Sequence, residues 1–175
     1  AFTPKQVERL REPAQDFHLE PAVDGWQLYP VAYSQTYTYR EVIFQPGEPG
    51  EAEWTFDNPC EDQPFRFILR TLPDVGALNQ ESVVNPVFKV NFTEIIMPVR
   101  LRPYEYLVCE GDGKCTTYDI NWNPLQTIDL SGDWPTMVHG ENQILFWFGE
   151  SSPCGVEVRF KAVGPGEQVK RVQGT

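Results

Sequence analysis

From residue 36 onward, apolar and polar side chains alternate with a period of two. Tyr37, Tyr39 and Ile43 share one face, with Thr38, Arg40 and Val42 on the other. Ala52, Trp54 and Phe56 alternate with Glu51, Glu53 and Thr55, and Phe65, Phe67 and Leu69 with Arg66, Ile68 and Arg70. Phe88, Val90 and Phe92 alternate with Lys89 and Asn91, and Val156, Val158, Phe160 and Ala162 with Glu157, Arg159 and Lys161. Successive side chains of a strand point to opposite faces, so the pattern predicts antiparallel strands with one buried face each. Turns rich in Gly, Pro, Asp and Asn separate them at 45–50, 57–59, 72–76 and 131–135. About ten such strands, with no crossover helix to make parallel neighbours, predict an all-β antiparallel sandwich of jelly-roll type.

The N-terminus follows a different rule. Thr3 at the N-cap, Pro4 at the first helical position and Gln6 at the third form a capping box. Phe2 and Val7 supply a hydrophobic staple, and Pro13 stops the helix. The expected layout is a short lead-in helix at 1–13, centred on Pro4 to Arg11, then the β-domain at 14–163. A polar tail or linker at 164–175 completes it, and 74–82 is the long connection between halves.

Charge narrows the partners. With 25 acidic against 14 basic residues the net charge is −11, a field that repels nucleic acid and anionic membrane surfaces. Polysulfated and polyuronate glycans are disfavoured for the same reason, unless bound Ca²⁺ or a local arginine cluster offsets it. No apolar run approaches the ~20 residues of a membrane-spanning helix. Of the four cysteines, Cys109 and Cys115 flank the turn-rich Glu110-Gly111-Asp112-Gly113-Lys114, a spacing that lets them face one another across a hairpin. Zinc is a poor alternative without C-x-x-C or a nearby histidine. Reduced, half-buried thiols remain the other reading. A disulfide fits a secreted, periplasmic or cell-surface protein whose signal peptide has gone, or a domain excised from a larger chain.

Reactive chemistry is hard to find. There is no G-x-S-x-G, no H-E-x-x-H, no P-loop and no G-x-G-x-x-G after a strand. Among 25 acids, chance carboxylate pairs are common, so Glu41, Glu51, Glu53, Asp119 and Asp129 do not define a hydrolase. His139 precedes a Gly-Glu-Asn turn, where a solvated histidine is the default. Aromatic side chains are abundant instead. Trp54 and Trp147 fall in strand patterns and read as core. Trp122, between Asn121 and Asn123, and Trp134, in Gly132-Asp133-Trp134-Pro135, fall at turns, where an exposed ring and an inward lid are both open. Rings stack on the C–H faces of sugars, while amides and carboxylates meet the hydroxyls. Tyr118, Asp119, Asn121, Trp122, Asn123 and Trp134 are therefore the candidate carbohydrate-binding residues. Asn91-Phe92-Thr93 matches a glycosylation sequon but lies inside a strand pattern.

Three stretches carry a family resemblance. They are Val99-x-Leu101-x-Pro103-x-x-Tyr106-Leu107-Val108-Cys109-Glu110-Gly111, Tyr118-Asp119-x-Asn121-Trp122-Asn123 and Gly140-Glu141-Asn142-x-Ile144-x-Phe146. Together they resemble the non-catalytic, galactose-binding-fold carbohydrate-binding modules appended to polysaccharide-degrading enzymes of Bacteroidetes-type bacteria. The likeness implies a module that concentrates an enzyme on a polysaccharide or oligosaccharide, with a catalytic domain as a further partner. It requires no cofactor. It allows a structural Ca²⁺, although no D-x-D-x-D-G loop is present. Two rival classes stay open: a structural or adaptor domain packing on a catalytic domain or partner subunit, and a small glycan lyase or hydrolase.

Overall fold

The computed structural model describes residues 16–23, 25–39, 51–72, 82–148 and 155–170. No helix occurs among the described residues. The expected lead-in helix, the end of the Tyr37 strand beyond Tyr39, the 74–81 connection and Cys154 lie outside them. Among the described residues seventeen strands follow in order, four of them only two residues long. The first six are β1 (Asp16–Ala22), β2 (Gly25–Tyr33), β3 (Tyr37–Tyr39), β4 (Glu51–Asn58), β5 (Gln63–Pro64) and β6 (Phe67–Leu72). Next come β7 (Val83–Val84), β8 (Pro86–Val90), β9 (Thr93–Ile96), β10 (Arg100–Leu101), β11 (Tyr106–Cys109) and β12 (Lys114–Tyr118). The last are β13 (Pro124–Asp129), β14 (Thr136–Met137), β15 (Gly140–Phe148), β16 (Gly155–Val163) and β17 (Glu167–Lys170).

All pairings are antiparallel. A nine-stranded sheet runs β1-β2-β16-β6-β11-β12-β13, with β17 added to β2 and β3 to β16. A four-stranded sheet runs β4-β15-β8-β9, and two small bridges pair β10 with β7 and β14 with β5. The alternation explains how the sheets meet. Phe67 and Leu69 of β6, Leu107 of β11 and Val158 and Phe160 of β16 join Phe56, Phe88, Ile144 and Phe146 of the smaller sheet in one buried cluster. Phe88 is one contact point, beside Phe160, whose ring meets Phe56 at 6.0 Å and Trp54 at 6.1 Å. The Phe88 ring lies 4.6 Å from Phe67, 4.9 Å from Phe146, 5.4 Å from Phe65 and 6.3 Å from Phe160.

Buried amides stitch the ends of these strands. Asn142, fully buried, donates to the carbonyls of Val138 and Gly140 at 2.9 Å and accepts from Val138 N–H at 2.9 Å and Asn91 Nδ2 at 3.0 Å. The Gly-Glu-Asn motif is thus a structural clasp here. Asn58 does similar work, bonding Glu61 and Val138 carbonyls and the Cys60 N–H.

Three expectations need correction. Trp147, read as core, alternates with the buried Phe146 and Phe148 and is half-buried outside the core cluster. Phe92 does not continue the inward row of Phe88 and Val90. Asn91 turns left-handed at φ 53°, which asparagine tolerates, and its side-chain oxygen accepts Gln143 N–H at 3.1 Å. The strand ends there and Phe92 is left 97% exposed. The segment 164–175, expected as a polar tail, contains β17, which pairs with β2 and buries Val169. Gly25 permits that pairing, since a Cβ there would stand 2.9 Å from the Val169 carbonyl.

Cys109 and Cys115 form a disulfide across the β11–β12 hairpin, their Cα atoms 4.4 Å apart and both side chains buried. Gly111, at φ +83°, lets the hairpin turn lie against Pro64. Replacing Phe88 by Ala removes one of the rings shared by both sheets. Equilibrium urea unfolding should show a loss of about 3–5 kcal/mol, and a loss below ~1 kcal/mol would mean the sheets are held by something else.

Candidate functional site

The β12–β13 connection is a compact turn built on one carboxylate. Asp119 Oδ1 accepts the N–H groups of Asn121 at 2.8 Å and Asn123 at 2.9 Å, and Oδ2 accepts Asn123 Nδ2 at 2.9 Å. The backbone closes around it, with Asp119 N–H bonding the Asn123 carbonyl and Trp122 N–H the Asp119 carbonyl, each at 3.0 Å. The Asn123 side-chain bond, then its backbone bond, holds the Asp119 carboxyl below the ordinary aspartate range; slight desolvation opposes this and the Asn121 N–H adds to it. Asp119 is therefore a shaping group whose acceptor capacity is largely spent on the turn.

What the turn holds up is Trp122. Its backbone is left-handed, φ 63°, a conformation that costs an L residue about 1–2 kcal/mol. One face of the indole stacks on Tyr106 of β11, centroids 4.2 Å apart and planes at 25°, and Tyr118 tilts in at 5.6 Å. Trp122 remains 49% exposed. Pro124 opens the edge strand β13, where a missing N–H is tolerated. A register shift between Thr117 and Tyr118 tightens the approach to the turn.

A second strained ring stands nearby. Tyr104, in the β10–β11 connection, has φ 68° and is 41% exposed; its N–H bonds the Thr71 carbonyl at 3.1 Å. Among the described residues four non-glycine residues have positive φ. Two are asparagines, which visit this region readily; the other two are Tyr104 and Trp122. Arg70 of β6 joins them, its guanidinium carbon 5.7 Å from the Tyr104 ring and 5.5 Å from the Tyr106 ring. Strand register supplies the row: Glu157 pairs with Arg70, Arg70 with Tyr106, and Tyr106 with Tyr118. Three strand spacings make this row about 14 Å long.

Trp134 does not belong to it. The indole donates to the Phe65 carbonyl at 2.9 Å and packs against the core, so it is the inward lid and leaves the candidate set. Phe65 adjoins Gly111 in the β11–β12 hairpin, the opposite end of β12 from Tyr118 and roughly 15 Å away along the strand. Tyr118, Asp119, Asn121, Trp122 and Asn123 do come together. The residues that sequence reasoning missed are Tyr104, Tyr106 and Arg70. For Arg70 and Tyr106 the signal available was an outward position on a strand, but which strands lie side by side is not written in any one strand; Tyr104, in the β10–β11 connection, gave none.

His139 is exposed, its Nδ1 2.8 Å from the Cys60 carbonyl, and His18 lies 3.1 Å from Glu20. Burial pushes the free Cys60 thiol up, against a hydrogen bond from Gln63 that lowers it. No group of His, Cys, Asp and Glu side chains among the described residues is placed to hold a metal ion. No family model, curated protein or solved structure matches the chain.

Because the folded-state pKa of Asp119 is depressed, the turn gains stability from ionisation above the unfolded value, about 3.9. That gain is lost as pH falls through the lower folded value. In an NMR titration the Asp119 carboxyl should have its midpoint below an ordinary aspartate, with the Asn121 and Asn123 amides moving in step. A midpoint at or above the ordinary value would contradict the assigned bonds.

Proposed function

We propose that this chain is a non-catalytic carbohydrate-binding domain whose ligand stacks on Trp122. The observation that carries this reading is the pair of half-exposed aromatic residues, Trp122 and Tyr104, held in left-handed backbone beside one another's partners Tyr106 and Arg70. Backbone strain at bulky exposed residues is retained where position matters more than stability. The open indole face offers the apolar half of a sugar contact; Tyr118 and Asn121 offer hydroxyl and amide partners at its edge. A row about three strands long suits several linked sugar units, hence an oligosaccharide or polysaccharide.

The finer architecture that goes with this reading is a jelly-roll sandwich of galactose-binding type. The shared aromatic core of the two sheets supports it. The module would act outside the cell, concentrating a bacterial polysaccharide-degrading enzyme on its glycan. A second reading, packing on a catalytic domain or partner subunit, draws on the exposure of Phe92 (97%) and Ile96 (54%) at the β8–β9 edge.

Binding should be weak, roughly 10 μM to 1 mM, because an open face excludes little water. Affinity electrophoresis through gels of plant and algal polysaccharides tests the proposal. The native protein should be retarded by at least one of them. Trp122→Ala should abolish the retardation while costing only about 0.5–1.5 kcal/mol of stability, the worth of a lost ring stack. Undiminished retardation of that variant would remove Trp122 from the site. A protein retarded by no glycan, yet bound by a catalytic partner through Phe92 and Ile96, would favour the second reading.

A further inference from the structure

The net charge of −11 disfavours acidic ligands unless basic side chains cluster locally, and on one face they do. Arg66, Arg70, Arg159 and Lys161 alternate with the buried Phe67, Leu69, Val158 and Phe160 of β6 and β16, so all four stand on the outer side of the nine-stranded sheet. Two of them are committed. Lys161 bonds both carboxylate oxygens of Glu110, at 2.8 and 3.0 Å, and Arg66 bonds the Glu110 carbonyl at 2.9 Å and Gln63 Oε1 at 2.7 Å.

Arg70 and Arg159 are held differently. Arg70 is fixed by the Tyr104 and Tyr106 rings; its Nη1 stands 3.7 Å from Glu157, beyond hydrogen-bond length, and its Nε is sealed from solvent without a partner. Arg159 lies 5.7 Å over the Tyr33 ring and donates from Nη2 to the Thr36 hydroxyl at 3.0 Å. Rings orient both guanidinium groups and leave N–H donors over. The two arginines line a cavity of about 220 Å³ with Thr36, Tyr106 and Glu157. Since a water takes about 30 Å³, there is room for a carboxylate and part of its ring. Tyr106 is also the ring on which Trp122 stacks. One side chain thus joins the stacking platform to the cationic cavity.

We propose that the glycan bound here is a polyuronate: one sugar stacks on Trp122, and the carboxylate of a linked uronic acid enters the Arg70–Arg159 cavity. The proposal rests on the glycan-binding reading and specifies its ligand. A planar carboxylate suits the guanidinium fork, which makes paired, charge-assisted bonds. Glu157 leaves the cavity a net charge of +1 from two arginines and one carboxylate, so it limits the attraction without cancelling it.

Isothermal titration with oligogalacturonate and oligomannuronate, each as free acid and as methyl ester, separates charge from stacking. The free acid of at least one should bind about tenfold tighter than its ester, and added salt should weaken only the acid. Arg159→Gln should erase that difference while keeping the ester affinity and the melting temperature. Glu157→Gln, which retains both arginines, should tighten the acid severalfold and leave the ester unchanged; a weaker acid would contradict the cavity assignment. Equal binding of acid and ester, or tighter binding of a sulfated oligosaccharide that lacks uronic acid, overturns the polyuronate while leaving the glycan reading intact. If neither acid nor ester binds, and neutral plant and algal glycans are not retained either, the glycan reading itself falls.

Discussion

Phe88 meets Phe67 at 4.6 Å across the space between the two sheets, and the outward surface depends on that contact. Burying those rings is the dominant favourable term in the fold, roughly 1.5–3 kcal/mol for each large side chain removed from water. Because strand side chains alternate with period two, anchoring Phe67, Leu69, Val158 and Phe160 inward sends Ile68, Arg70, Glu157 and Arg159 outward. A slip of one residue between β6 and β16 would exchange the two sets, burying arginines and exposing phenylalanines. The register of the surface row is therefore a consequence of the core.

The turns then add what a flat sheet cannot. Side chains on a strand stand up from the surface, and a stacking platform needs rings laid across it. The Asp119 turn and the Tyr104 turn achieve this with left-handed backbone, which swings each ring back over its neighbouring strand. The cost is offset locally, by three bonds to the Asp119 carboxylate on one side and by the Thr71 network on the other. Thr71 is buried and its hydroxyl donates to the Arg102 carbonyl, while Arg102 N–H bonds Glu105 Oε2 at 2.8 Å. Both turns are braced by polar groups turned on themselves, which leaves the Trp122 and Tyr104 rings partly exposed on the outer surface.

Alternation in β4, β6 and β16 could be read directly from the chain, since each has one buried and one polar face. It failed at Phe92, where a left-handed asparagine ends the strand, because such a turn changes parity without changing composition. It also missed β17: Val169 is the one buried apolar residue among Glu167, Gln168 and Lys170, too weak a signal to predict pairing with β2. The Cys109–Cys115 hairpin was legible from a six-residue separation filled with turn formers. Trp122 and Trp134 looked alike, each with polar neighbours and a proline within two residues. Only the Phe65 carbonyl, 69 residues away in sequence, makes Trp134 a lid. Arg70 and Glu157 were visible as outward residues, but their meeting with Tyr106 depends on β6 lying between β11 and β16, a fact of long-range pairing.

The central claim is that an outward indole, braced from beneath by Tyr106, is where ligand is met. Amide and indole spectra of the protein labelled with nitrogen-15, recorded while an oligosaccharide is added, test this most directly. The Trp122 indole N–H and the amides of 119–123 should shift most, with the Arg70 and Arg159 side-chain signals following and the Trp134 indole unmoved. Shifts concentrated instead at Trp134, or at the β8–β9 edge around Phe92, would contradict the account.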